Sequence, residues 1–202
     1  MAPRHRSNPA ENTRRYRIGG ITMAKAVDVA NFFITQFRET DDPMTKVRVQ
    51  KFMFFAQAEA LVRLGHPLFR EEFKAWHYGP VIPSVGNKTK DIPNGEPIKG
   101  VIGEYDIHTF SVEEIEVLMD VSVYCGRYST AELSRITHVP GGPWDSVHEE
   151  NGKAETITKD SIREYYSKHR FVSSPFRDAV SKLPVEGYID ADGKTVLSSD
   201  WE

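Results

Sequence analysis

Apolar residues recur at helical spacing from about Ala24 to Arg38: Val27, Ala30, Ile34 and Phe37 share one face, with Phe33 beside them, and the run predicts a first helix. Asp41, Asp42 and Pro43 break it. A second helix is predicted over TKVRVQKFMFFAQAEALVRLG, with Asp42 or Thr45 able to cap its start and Gly65 placed for a left-handed end. Val49, Phe52, Met53, Phe55, Ala56, Ala60, Leu61 and Leu64 take up most of its circumference, the pattern of a helix buried on several sides. Lys46, Gln50 and Gln57 interrupt that pattern as a narrow polar stripe. The stripe suits either a contact line for a partner or a ridge that touches solvent and caps neighbouring backbone. Spacing alone favours the second.

Pro67 stops the helix, and FKAWHYGPVIPS follows from Phe73. Phe73 to Trp76 reads as a short extended piece. Gly79 and Pro80 force a turn, and Pro83 is placed to open a short helix. His77 and Tyr78, with Val81 and Ile82 after them, are the partner-binding candidates of this corner, while Trp76 is assigned to the core. Residues 87–103 are rich in Gly, Pro, Asn and Lys and read as a mobile surface loop. A third helix begins at FSVEEIEVLMDVSVYCG, where Ser111 and Glu114 form a capping box. Ser129 and Glu132 repeat the box for a fourth helix carrying Leu133 and Ile136. THVPGGPW then makes a second rigid corner, with Thr137, His138, Pro143 and Trp144 as its structural residues. Thr158 starts a last helix with Ile162, Tyr165 and Tyr166 facing inward. Beyond it, Phe176, Ala179, Val180 and Leu183 suggest a short helix, and YIDADGKTVL a hairpin over 188–197 turning at Asp192-Gly193. The fold class is mainly α: a compact single-domain helical bundle with short β pieces near 73–77 and a C-terminal β-hairpin.

Charge divides the chain. Residues 1–22 hold five Arg and one Glu, so with a total of −3 the remainder carries −7. The basic arm reads as a disordered tail, with a nucleic-acid contact through Arg4, Arg6, Arg14, Arg15 and Arg17 as its alternative. An acidic body is a poor generic nucleic-acid binder. A single cysteine, Cys125, excludes an internal disulfide and suits a reducing, cytoplasmic setting. No apolar run approaches a membrane span.

Catalytic signatures are weak. The chain contains no phosphate-binding glycine loop, no HExxH and no GxSxG. Asp190, Asp192 and Gly193 imitate the start of a calcium loop, but Trp201 stands where the closing glutamate belongs. His138 and His148 with Asp145 are the nearest thing to a metal cluster or a hydrolytic pair, and their spacing is poor for zinc. No catalytic, cofactor or metal residue is assigned, and a binding function is favoured over an enzymatic one.

Four separated motifs in order, TKVRVQKFMFFAQAEAL, GHPLFREEFKAWHYGPVIPSV, FSVEEIEVLMDVSVYCGRYSTAELSRITH and GGPWDSV, resemble the Panacea antitoxin domain of SocA-like and phage-associated proteins, as does VANFFI before them. The resemblance covers about residues 24–169, leaving a tail at 1–23 and an extension at 170–202. It implies a non-enzymatic helical antitoxin that neutralises a cognate protein toxin, encoded next door, by direct contact. SocA-like relatives instead imply an adaptor that hands the toxin to a ClpXP-type protease. Ser84-Val85-Gly86-Asn87 departs from the family's leucine–tyrosine pair and longer helix, which argues against the helix after Pro83 and for a loose adjoining loop. The acidic body suits a basic toxin, steered electrostatically.

Overall fold

The computed structural model describes residues 23–148 and 154–171 in full, together with the backbone of four short strands at 17–18, 21–22, 187–189 and 195–197. In chain order these are β1 (Arg17–Ile18), β2 (Ile21–Thr22), α1 (Ala26–Gln36), α2 (Lys46–Arg63), β3 (Phe73–Trp76), β4 (Gly79–Val81), α3 (Pro83–Thr89), α4 (Val112–Cys125), α5 (Thr130–Thr137), β5 (Thr156–Ile157), α6 (Lys159–Lys168), β6 (Gly187–Ile189) and β7 (Thr195–Leu197). A single 3-10 turn, Ile107–Thr109, precedes α4. The molecule is mainly α with short β pieces, as the apolar pattern predicts. The predicted terminal hairpin is present as the antiparallel pair β6 and β7, with Tyr188 opposite Val196. The basic tail lies outside the described residues apart from β1 and β2, which pair antiparallel. The helix expected near Phe176 to Leu183 lies outside them altogether.

The helix starts follow local chemistry. The Thr45 hydroxyl accepts from the Arg48 amide at 3.3 Å and begins α2. Asp42, the other candidate cap, instead pairs with the Arg48 guanidinium at 2.8 Å. Both capping boxes form: Ser111 with Glu114 on α4, and Ser129 with Glu132 on α5. Gly65 takes φ +75°, the left-handed conformation expected after α2.

Helix α2 is the centre of the molecule, and α1, α4, α5, α6 and β4 all pack on it. Every residue from Arg48 to Leu61 is buried. This includes five polar ones, and each reaches a partner. The Gln50 side-chain amide accepts from the Ile82 amide at 2.8 Å and faces its carbonyl at 3.4 Å. Gln57 accepts from the Leu68 amide at 2.9 Å and donates to the Phe69 carbonyl at 3.0 Å. Arg48 donates to the Tyr128 carbonyl at 2.8 Å. Lys51 donates to the Tyr78 carbonyl. Glu59 accepts from Arg63 at 2.8 Å and Arg170 at 3.1 Å, while Arg63 also reaches Asp120 at 2.6 Å. Buried polar groups are tolerated only when bonded, and here the bonds double as anchors for the chain that wraps the helix. Next to Arg170, Phe171 packs against Phe55, Tyr124 and Tyr166 with ring centroids 5.1–5.2 Å away.

Three sequence expectations need correction here. The polar stripe on α2 is no outward contact line at Gln50 or Gln57, which are 3% and 0% exposed and hold backbone. Residues 87–103 do not form a free loop. The Ile98 amide donates to the Met44 carbonyl at 2.8 Å, Lys46 to the Ile92 carbonyl at 2.8 Å, and the Ile102 amide to Asn31 Oδ1 at 2.8 Å. Gly79 and Pro80 do not themselves make the turn: they open the edge strand β4, and His77-Tyr78 is the two-residue loop. An edge is where a proline fits a sheet. After Pro83 a helix of seven residues forms, the short one that a proline in the first turn predicts, and it runs through Ser84-Val85-Gly86-Asn87 despite the departure from the family pattern there. The sheet order is β4-β3-β5, all antiparallel.

Candidate partner-binding surface

The two aromatic corners read separately in the sequence form one assembly. The Trp144 indole Nε1 donates to the Trp76 carbonyl at 2.9 Å. His148 stacks on Trp144 at 4.0 Å between centroids, and His138 meets the same indole edge-on at 3.9 Å. The His138 Nδ1 contacts the Ser134 carbonyl, and the Thr137 hydroxyl donates to the same oxygen at 2.8 Å. The second corner is therefore a platform on which the first rests. Trp144, Pro143 and Thr137 are buried, matching their structural assignment.

Gly79 is where the two fit together. It adopts φ +102°, a conformation that side-chain-bearing residues rarely take. A Cβ there would collide with the Lys51 amine and come within 3.0 Å of the His138 ring and 3.2 Å of the Thr137 hydroxyl. With Gly79 seated, the loop before it is pushed outward. Tyr78 is 71% exposed and Trp76 43%. The exposure of Trp76 corrects its assignment to the core: its carbonyl is anchored, while the side chain lies at the surface. His77 is exposed too, with its ring 5.0 Å from Tyr78. Ile82, by contrast, is fully buried under the Gln50 clamp and has no surface to offer a partner.

Beneath the loop lies Lys51, 0% exposed, with the Tyr78 carbonyl as its hydrogen-bond acceptor. Burial pushes its ammonium down from an ordinary 10.5 to about 7. The sequence reading passed over this residue. The signal was a lysine in mid-helix, flanked by Val49, Phe52 and Phe55, where solvent cannot be reached.

A cavity of about 320 Å³ opens between α2, the His77-Tyr78 loop and α3. Its walls include Lys46, Lys51, Lys90, Trp76, Tyr78 and Val81, and no Asp or Glu among the described residues lines it. Of the residues proposed from sequence as partner-binding, Lys46, Gln50, Tyr78 and Val81 meet here; Gln57, His77 and Ile82 do not line it.

Groups with catalytic potential are engaged elsewhere. The Cys125 thiol is completely buried, and burial pushes its pKa well above the ordinary range. The Asp145 carboxylate accepts from the Gly141 amide at 2.9 Å, closing the second corner. Among the described residues, no three His, Cys, Asp or Glu stand close enough to hold a metal ion. No helix among them is long and apolar enough to cross a membrane.

Comparison with known proteins adds an independent line. The family model described as "Antitoxin SocA-like, Panacea domain" matches residues 49–145, a span that includes most of α2 and both corners. Antitoxin SocA of Caulobacter vibrioides is 31% identical over 134 residues, covering 59% of this chain and 68% of that protein. No solved structure matches.

Proposed function

Because the chain belongs to the SocA-like Panacea antitoxin family, we propose that it neutralises a cognate protein toxin by binding it directly, without chemistry of its own. The family supplies the antitoxin role. The mode of action is supported by one observation above the rest: two large aromatic side chains, Trp76 at the end of β3 and Tyr78 in the loop after it, stand exposed on a hairpin fixed from below. Burying a fixed aromatic costs little ordering entropy, and such residues dominate binding hot spots. Groups able to act as nucleophile or base, Cys125 and Asp145, are buried or bonded into the fold, which favours a binding protein.

The test is co-expression with the product of the adjacent reading frame. Growth rescue together with co-purification of a stable complex is the expected result. Rescue with no complex defeats direct binding. The alternative, in which the chain delivers the toxin to a ClpXP-type protease, predicts that toxin half-life falls when the chain is present. An unchanged half-life in protease-proficient cells decides for sequestration.

A further inference from the structure

We infer that the cavity between α2, the His77-Tyr78 loop and α3 seats an acidic segment of the partner toxin, with a carboxylate among Lys46, Lys51 and Lys90 and a neighbouring apolar side chain against Trp76 and Tyr78. The inference rests on the antitoxin reading and adds the surface and its chemistry.

Local charge carries the argument. Outside the first 22 residues the chain is acidic, at −7, yet among the described residues three lysines line this cavity and no carboxylate does. None of the three has an ion-pair partner among the described residues. Lys46 donates to the Ile92 carbonyl and Lys51 to the Tyr78 carbonyl, both uncharged acceptors. Lys90 is exposed, just past the end of α3. Elsewhere on the protein, Arg63, Lys159, Arg163, Lys168 and Arg170 all pair with Asp or Glu. Lys46 and Lys90 therefore leave positive charge at the cavity that a carboxylate from outside can meet. Lys51 offers no surface, and burial leaves it only about half charged at neutral pH; a carboxylate seated above it would favour its protonated form.

Shape and aromatic content narrow the occupant. At about 320 Å³ the space is at the small end of ligand sites, roughly 300–1,000 Å³, and admits a side chain or two but no helix. Trp76 and Tyr78 at the rim supply the apolar area that a lone carboxylate would not use. An acidic residue beside an apolar one, on an extended segment or loop, matches all of these features. The net charge of the body governs approach at long range, and the cavity governs what is seated; a toxin that is basic overall can carry such an anchor.

The experiment measures affinity between the full chain and the purified product of the adjacent reading frame, by calorimetry or interferometry. Lys90→Glu and Tyr78→Ala alter exposed side chains, and an unchanged melting temperature confirms folding. Each is expected to weaken binding about tenfold or more, and Val112→Ser, outside the cavity, to leave it unchanged. The decisive arm is charge exchange: one Asp→Lys or Glu→Lys change in the toxin should recover at least about fivefold of the affinity lost by Lys90→Glu. Wild-type affinity in both Lys90→Glu and Tyr78→Ala overturns the surface and leaves the antitoxin reading standing. So does loss of affinity for a nucleic acid with toxin binding intact. Lost affinity that no toxin carboxylate restores overturns the acidic occupant. A wild-type chain that does not bind the toxin at all defeats both readings together.

Discussion

Replacing Lys51 by Met tests whether a charge is held in the interior of this protein. The ammonium has an ordinary value of 10.5 in the unfolded chain and about 7 in the folded one, with burial as the cause. That span corresponds to roughly 5 kcal/mol disfavouring the charged form when folded. The direction with pH follows. Below pH 7 both states carry the proton, and the burial penalty is fully present. Between 7 and 10.5 the unfolded chain binds more protons than the folded one, so stability rises with pH. From pH 6 to pH 8 the folded amine loses most of its charge, worth roughly 1 kcal/mol. Methionine fills a similar volume without the charge and gives up one hydrogen bond, to a carbonyl on an exposed loop. Lys51→Met should therefore be the more stable protein at pH 6, with an advantage that narrows by roughly 1 kcal/mol at pH 8. Urea unfolding followed by tryptophan fluorescence at several pH values measures this. The comparison runs from pH 6 to pH 8, the window in which the folded amine changes charge while the unfolded one stays protonated. A stability difference that stays constant from pH 6 to pH 8 would refute the reasoning.

Other perturbations test other joints. Gly79→Ala meets the Lys51 amine, His138 and Thr137 at a positive φ, so a loss of about 2 kcal/mol or more is expected in thermal unfolding. Gln57→Leu strands the Leu68 amide and the Phe69 carbonyl and should cost about 2–4 kcal/mol by urea titration, although it replaces a polar group with an apolar one. Asp120→Ala removes a carboxylate that pairs with Arg63 beside Glu59 and should cost about 3 kcal/mol, in contrast to less than about 1 kcal/mol for the exposed pair partner Asp160.

Helical periodicity and capping chemistry made most of the bundle readable. Ser111 with Glu114, Ser129 with Glu132, and Thr45 before an apolar run each mark a start that local bonds alone determine. What stayed hidden depends on contacts distant in sequence. β5 is two residues long and exists because Phe73 and Lys74 lie beside Ile157 and Thr156. Trp76 has the composition of a core residue, and only the bond from Trp144, 68 positions later, shows that its main chain is held while its ring is left outside. Gln50 and Gln57 looked equivalent to Lys46 by spacing. Short amides reach backbone inside the fold, whereas the longer lysine extends to the cavity wall. Lys51 was overlooked because a lysine on a helix usually faces water, and nothing in its immediate neighbours names the loop that covers it.

The five polar residues buried on α2 tie down the Tyr128, Tyr78, Ile82 and Phe69 stretches and the Arg170 segment from one rod. Withdrawing any of these strands exposes a stranded group on the rod and weakens its neighbours' hold, so partial loosening has little to gain. Native-state hydrogen exchange should then find these distant stretches opening together, at one common free energy. A degradation machine would meet a substrate that yields whole or not at all, and any bound partner would lengthen its lifetime by mass action alone.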